Sequence, residues 1–162
     1  MFLLQAFLVA FFGLFAAFAA AWIAHSAKIS EFRQSWIDGL RLDIADFIGL
    51  AERWFRKKEE INSIPSGEKD KRERDEVAPV ADEARVILGR IRLGLNPENN
   101  PDGQQDTQLL QSLEDLLNPG KVDPASRQGL ADIAFDNARR TLKREWEKTK
   151  KIRVPRRSDF DW

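Results

Sequence analysis

Residues 2–24 read FLLQAFLVAFFGLFAAFAAAWIA, a run without charge or proline in which Gln5 is the one strongly polar side chain. These 23 residues exceed the roughly 20 that a helix needs to cross the hydrocarbon core of a bilayer. A helix satisfies its own backbone hydrogen bonds, so such a segment is stable in hydrocarbon. The sequence therefore predicts a transmembrane helix over residues 1–27.

A cleaved signal peptide is the alternative interpretation of the same run. Signal peptides have a positively charged start, an apolar core of about 7–15 residues and small residues at the cleavage site. The chain has no Lys or Arg before Lys28, and its apolar run is longer than such a core. Ala17-Phe18-Ala19 resembles a cleavage box, so a secreted helical domain after signal-peptide cleavage stays open as an alternative.

The charges that flank the run indicate its orientation. No Lys or Arg precedes it, whereas Lys28, Arg33 and Arg41 follow it. Loops rich in Lys and Arg stay in the cytoplasm. We therefore predict that the N-terminus lies outside and that residues 28–162 form a cytoplasmic domain.

The predicted span has two different faces. Small residues recur at intervals of four and three and fall within about 80° of one another at 100° per residue: Ala6, Ala10, Gly13, Ala17, Ala20 and Ala24. Phe11, Phe15, Phe18 and Trp22 gather on the opposite side. Small residues let helices approach closely in lipid, which predicts membrane helix packing through this stripe. Because alanine is common in membrane helices, a chance alignment is the alternative.

The composition argues against an enzyme. Lys plus Arg and Asp plus Glu both number 26, so no global field attracts nucleic acid. There is no cysteine, and the one histidine, His25, lies at the predicted membrane edge. The chain has no catalytic-triad candidate, HExxH motif, phosphate-binding loop or zinc spacing. We predict no catalytic residue, no cofactor and no metal site.

Apolar residues continue at helical spacing beyond the span, over residues 28–60. This pattern predicts a juxtamembrane amphipathic helix, either continuous with the span or broken near His25-Ser26. Its stripe needs cover, by later helices or by a second copy of the chain. The residues predicted to pack in the cytoplasmic domain are Trp36, Leu40, Ile44, Phe47 and Trp54, together with Trp146 near the end of the chain.

The rest of the chain predicts shorter helices and no sheet, because no segment alternates at period two. Residues 61–78 are predicted as a charged linker, and residues 79–151 as a helical bundle that completes the cytoplasmic domain. Within the bundle, Pro79 begins a helix over 79–95, Thr107 caps a second and Asp123 caps a third over 124–151. Residues 152–162 are predicted as a flexible tail. The predicted fold is all-α, with a long first helix packed by about three shorter ones.

Three motifs occur in one order along the chain. They are Trp36-Ile37-x-x-Leu40-Arg41-x-Asp43-Ile44, Ile91-x-Leu93-x-Leu95-Asn96-Pro97, and Leu142-Lys143-x-Glu145-Trp146-x-x-x-Lys150. Their order and spacing resemble a group of uncharacterised small bacterial single-pass membrane proteins with a cytoplasmic helical domain. The resemblance covers residues 1–151 and implies a location in the bacterial inner membrane, but no mechanism. Each motif also has a packing interpretation, in which Trp146 closes the end of the bundle against Trp54 or Trp36.

The end of the chain is strongly basic. Residues 139–157 contain ten Lys or Arg and only two Glu. One interpretation is contact with anionic lipid headgroups or another polyanion through Lys150, Lys151, Arg153, Arg156 and Arg157. Contact with a nucleic-acid backbone is less favoured. A solvated helix end, whose cations suit the negative end of the helix dipole, remains the plainest interpretation.

These features predict a non-enzymatic, single-pass membrane protein. Its cytoplasmic helical domain would bind a second copy or a partner protein of a membrane complex, and membrane lipid is its other partner. A membrane-active effector of a bacterial defence or toxin-like system is an alternative. Gln5 is the only polar side chain that the span offers to a conducting path, which argues against a pore.

Overall fold

The computed structural model describes residues 2–97, 103–121 and 126–150, apart from five side chains near the start of the chain. All regular structure in these ranges is helical, as predicted, and they contain no strand. The chain divides into two compact units. One comprises Met1–Trp36 together with Trp146–Trp162, and the other comprises Ile37–Glu145.

The first helix, α1, spans Phe2–Asn62 and contains 61 residues. The predicted long N-terminal helix is therefore present, and it has no break at His25-Ser26. Proline is absent from the whole segment, so no backbone donor is missing within it. The helix ends ahead of Pro65, which disfavours helical backbone at Ile64. Ser63 closes the end by donating from its backbone N–H (3.2 Å) and its hydroxyl (2.6 Å) to the carbonyl of Glu60.

The segment expected as a charged linker is helical instead. Helix α2 spans Ser66–Arg72, a π-helical turn spans Glu73–Val77 and helix α3 spans Ala78–Gly94. Pro79 lies in the first turn of α3, as predicted, although the π-helical turn leads into this helix without a loop. A proline lacks the backbone N–H and its ring clashes with the carbonyl four residues back. The wider π-helical turn immediately before Pro79 accommodates both effects.

Ion pairs with the end of α1 explain why this charged segment is ordered. Arg72 donates to Glu76 on its own helical segment (Nε to Oε1, 2.7 Å) and to Glu60 on α1 (Nη2 to Oε1, 3.1 Å). Lys57 of α1 reaches Glu76 at 3.4 Å. The sequence shows the charges but not which of them meet, because Glu60 and Arg72 come together only when the chain turns at Pro65.

Helix α4 spans Gly103–Leu116 and helix α5 spans Arg127–Lys150. Thr107, expected as a helix cap, lies one turn inside α4, and its hydroxyl donates to the carbonyl of Gly103 at 2.8 Å. The expected cap at Asp123 and the expected tail over 152–162 lie outside the described residues.

The unit Ile37–Glu145 is an up-down-up-down four-helix bundle. Arg72 of α2 pairs with Glu60 of α1, and Arg90 of α3 pairs with Asp43 of α1. Residue numbers therefore fall along α1 as they rise from α2 to α3, so this segment runs antiparallel to α1. Arg92 pairs with Glu114 and the backbone N–H of Asn96 donates to Asp106, so residue numbers fall along α4 as they rise from α3, and α4 runs antiparallel to α3. Helix α5 returns beside α4 and α1: its Arg144 bonds Asp106 of α4 at 2.6 Å and its Arg127 meets Glu59 of α1 at 3.5 Å.

The core of this bundle is mostly aliphatic, and its aromatic members are Phe47, Trp54 and Phe55 of α1. Phe47 is fully buried, and so are Ile37 of α1 and Ile91 of α3, while α4 contributes Leu109 and Leu113. At about 25 cal/mol per Å² of apolar area, this burial is the main stabilising term. Helix α5 contributes small residues instead, Ala131, Ala134 and Ala138, which allow it to pack closely.

Candidate functional site

The N-terminal part of α1 presents its apolar side chains to the outside. Phe12, Phe15 and Phe18 are 65–68% exposed. None of the most apolar 18-residue window of this helix is buried within the structure. By length and composition this is the one helix in the described part of the chain that could cross a membrane. Phe47, further along the same helix, is in contrast fully buried.

The small-residue stripe of this segment is exposed as well. Ala10, Gly13, Ala17, Ala20 and Ala24 are all accessible, and a Cβ at Gly13 would meet nothing within 4 Å among the described residues. The side chain of Ala6, the first member of the stripe, lies outside the described residues. The stripe is therefore a face that the described part of its own chain leaves uncovered.

The predicted packing residues of the amphipathic segment 28–60 lie in two environments. Leu40, Ile44, Phe47 and Trp54 are buried in the bundle by the chain's own later helices. Trp36 is half-buried. The part of the stripe from Leu40 onward is thus covered within one chain, so a second copy is not needed to cover it.

Trp146 does not pack as expected, at the closed end of the bundle. Its side chain is 43% exposed, and the neighbouring Glu145 is buried instead. The buried positions of α5 follow each other at intervals of three and four residues: Ala131, Ala134, Ala138, Thr141 and Glu145. That interval keeps a seam on one side of a helix, and it excludes Trp146 from the buried face.

The described part of the basic end concentrates charge beside an aromatic ring. The Nζ atom of Lys150 lies 3.1 Å from the centroid of the Trp146 ring, a cation–π contact. Lys150 also meets Glu147 at 3.4 Å. Lys151, Arg153, Arg156 and Arg157, the other residues expected to contact lipid headgroups, lie outside the described residues.

A buried polar cluster joins α4 to α5, and sequence reasoning did not identify it. Asp106 is 4% exposed and accepts from Arg144 at 2.6 Å and from the backbone N–H of Asn96 at 3.3 Å. Arg144 also donates to Glu145 at 3.0 Å. One guanidinium is thus shared by two buried carboxylates. The sequence signal is weak, because Asp106 stands in a polar run that resembles a loop.

The guanidinium of Arg144 is held in its charged form. Burial lowers the pKa of Arg144, but the hydrogen bonds and charges of Asp106 and Glu145 together outweigh it, so the pKa ends above its ordinary value. Nearby on α5, the hydroxyl of Thr141 is fully buried and has no hydrogen-bond partner in the structure. The bond between Arg144 and Asp106 therefore joins α5 to α4, whereas the hydroxyl of Thr141 has no hydrogen-bond partner in the structure.

The bundle offers little room for a small molecule where α1, α4 and α5 meet. The cavity there holds about 10 Å³ and is lined by Ile48, Phe55, Leu116 and Ala131 among others. This space accommodates no more than one water. Within the ranges that the structure describes, no three His, Cys, Asp or Glu residues are grouped so as to hold a metal ion. Comparison with protein families, with characterised proteins and with solved structures finds no match for the chain.

Proposed function

We propose that this chain is a non-enzymatic, single-pass membrane protein whose helical domain assembles with a second copy or a partner protein at the membrane surface. The observation that carries the proposal is the uncharged N-terminal part of α1, which exposes its apolar rings. Contiguous apolar surface of this extent is unfavourable in water, whereas lipid removes that penalty.

Burial and length support a permanent anchor over the two other uses of an apolar helix. A core helix of a water-soluble protein buries its apolar residues, and here the apolar window is uncovered. A signal peptide has an apolar core of about 7–15 residues, which the run over residues 2–24 exceeds. The same helix also continues to Asn62, where it supplies core residues of the bundle.

The proposed arrangement places the N-terminus outside and the bundle in the cytoplasm of a bacterium. It rests on Lys28, Arg33 and Arg41, which follow the span while no Lys or Arg precedes it. The resemblance to small bacterial single-pass proteins supports the inner membrane. In this arrangement the basic end of the chain, including Lys148 and Lys150, would have anionic headgroups of the inner leaflet as its partner, at about 1 kcal/mol per cation near the surface.

Association within the membrane is proposed to occur through the small-residue stripe. Helices associate in lipid through close backbone packing, which alanine and glycine permit. The exposed positions Ala10, Gly13, Ala17 and Ala20 would form the contact, and the phenylalanines on the other side would face lipid.

Two double variants test this association. Ala17→Leu with Ala20→Leu should reduce the oligomers captured by chemical crosslinking in mild detergent, because larger side chains separate the helices. Phe15→Leu with Phe18→Leu is the matched control on the opposite side and should leave crosslinking unchanged. Equal crosslinking of both double variants and the wild type would show that the stripe does not carry assembly.

A further inference from the structure

Exposed apolar side chains continue along α1 beyond the uncharged run. Ile29 is 50% exposed and Phe32 is 76% exposed, although both follow Lys28, the first charged side chain of the helix. Ile37, five residues after Phe32, is fully buried in the bundle. The exposed pair Ile29 and Phe32 therefore belongs to neither the uncharged run nor the core of the bundle.

This pair continues the side of the helix that carries the phenylalanines of the span. At 100° per residue, one sector about 100° wide contains Ile29 and Phe32 together with Phe11, Phe15 and Phe18. All five side chains are exposed. The side that is proposed to face lipid within the span is thus the side that stays apolar beyond it.

The charges of this segment are sorted between the two sides of the helix. Lys28 and Arg33 each lie about 70° from the middle of the apolar pair, one on either flank. Glu31, the only Asp or Glu before Asp38, lies about 130° from it. The apolar side therefore carries the two cations and turns away the one carboxylate. The headgroup region of a leaflet that contains anionic lipid fits both features.

The position of the pair along the helix fits the same region. Phe32 lies four residues, or about 6 Å, beyond Lys28. A bilayer about 40–45 Å thick around a hydrocarbon core of about 30 Å has about 5–8 Å of headgroup region on each side. Helical side chains also lean toward the N-terminus, which is the side of the span here. With Lys28 at the edge of the hydrocarbon, Phe32 therefore reaches the headgroups.

The same charges disfavour a second copy on this face. Two copies with the same orientation in one membrane are parallel, and in a parallel coiled coil the residue before an a position faces the residue five places further along in the partner. With Ile29 at a and Phe32 at d, Lys28 of one chain would face Arg33 of the other. The other two registers that bury Ile29 or Phe32 place Lys28 or Arg33 in the seam itself.

We propose that the face of α1 formed by Lys28, Ile29, Phe32 and Arg33 lies in the headgroup region of the inner leaflet. Ile29 and Phe32 insert between the lipids, and the two cations contact anionic phosphates beside them. The inference rests on the proposed function, because it requires the preceding residues to span the bilayer. It adds a lipid-binding surface to a segment that the span itself does not include.

Single cysteines test this surface in the full-length protein, because the chain has no cysteine of its own. The protein is placed in vesicles of phosphatidylethanolamine and phosphatidylglycerol, with a nitroxide spin label at Phe32→Cys. Collisions of the label with oxygen, which concentrates in lipid, are compared with collisions with a water-soluble nickel chelate. The ratio of oxygen to nickel collisions should be several-fold higher than at Leu42→Cys, a matched apolar position that is 62% exposed on the bundle. It should be lower than at Phe18→Cys, within the span.

The outcomes separate this inference from the proposed function. Equal ratios at Phe32→Cys and Leu42→Cys, with a high ratio at Phe18→Cys, overturn the lipid-binding surface and leave the membrane anchor standing. A label at Phe32→Cys that is shielded from both reagents overturns it as well, because protein then covers this face. A low ratio at Phe18→Cys as well overturns the proposed span.

Removal of the cations supplies a second test. Lys28→Gln with Arg33→Gln, in the Phe32→Cys background, should lower the ratio in vesicles that contain phosphatidylglycerol. It should change the ratio little when phosphatidylcholine replaces that lipid. Arg53→Gln with Arg56→Gln is the matched control, since it removes the same charge from exposed positions further along α1. An unchanged ratio in the anionic vesicles would contradict the contact of Lys28 and Arg33 with anionic phosphates.

Discussion

Among the residues that the structure describes, Thr141 has a buried side-chain oxygen without a hydrogen-bond partner. Its side chain is fully buried on α5 and its hydroxyl has no hydrogen-bond partner. A buried polar group without a partner costs about 1–3 kcal/mol. Valine has the same shape without the hydroxyl. Thr141→Val should therefore raise the free energy of unfolding by about 1 kcal/mol.

Chemical denaturation followed by circular dichroism in detergent measures this change. Thr141→Ser is the control, because it keeps the hydroxyl and removes a buried methyl group, and it should destabilise the bundle. A loss of stability in Thr141→Val would show that the hydroxyl has a partner in solution.

Glu76 joins the π-helical turn to α1 through its ion pair with Lys57. We expect its contribution to folding stability to depend on pH. Hydrogen bonding from Arg72, with a smaller contribution from Lys57, holds the pKa of Glu76 below its ordinary value of 4.5. A lowered pKa in the folded state means that the contribution to stability is fully present above about pH 4.5 and is lost as the pH falls through the folded-state pKa.

Glu76→Gln should therefore lower the melting temperature at pH 7, and the difference from the wild type should shrink as the pH falls well below 4.5. Glu83→Gln, at an exposed position on α3 without an ion pair among those described, should differ little from the wild type at either pH. A difference for Glu76→Gln that is unchanged between pH 7 and acid would show that its charge is not what stabilises the turn.

At the scale of elements, the sequence predicts which segments are helical better than which face each helix buries. The apolar pattern of α5 predicts a buried side formed by Leu130, Ile133, Ala134, Ala138, Leu142 and Trp146. Five of these six positions stand four residues apart and together wind by about 160° around a helix, so they cannot share one face. The structure uses alternating intervals of three and four, which end at Thr141 and Glu145.

Long-range charge pairing is the information that the sequence lacks. The buried carboxylate of Asp106 meets Arg144, 38 residues further along the chain, and the order of the 66–77 segment depends on Glu60 and Lys57 of α1. Each contact forms only after the chain has reversed direction. By contrast, the apolar period in α1 predicted Leu40, Ile44, Phe47 and Trp54 as packing residues, and these four are buried.

The ion pair between Arg144 of α5 and Asp106 of α4 gives a prediction about how these two helices are held together. Arg144→Ala removes the cation shared by the buried carboxylates of Asp106 and Glu145. Breaking a buried pair by removing one partner is strongly destabilising, and we expect a loss of about 3 kcal/mol in the free energy of unfolding. Arg139→Ala, whose side chain is 81% exposed beside Asp136, should change it by less than about 0.5 kcal/mol.

Denaturant titration of the three proteins in the same detergent measures both values. Equal stability of Arg144→Ala and Arg139→Ala would mean that the cluster is solvated and does not tie α4 to α5.

At the scale of the whole molecule, the two ends of α1 differ in composition and in burial. The first part of α1 has the composition of a membrane span and exposes its rings, and its last part supplies the core of a four-helix bundle. The bundle covers its own apolar stripe, so exposed surfaces, and not the core, are what remain for assembly. This division is the basis of the proposed membrane-anchored assembly.

Alkaline carbonate extraction of bacterial membranes, followed by the intact mass of the recovered chain, tests this account most directly. Extraction at high pH releases peripheral proteins and leaves integral ones in the bilayer. We predict that the chain stays in the membrane pellet with residues 2–24 still attached. Recovery of the uncleaved chain as a monomer in the supernatant, without detergent, would contradict the account.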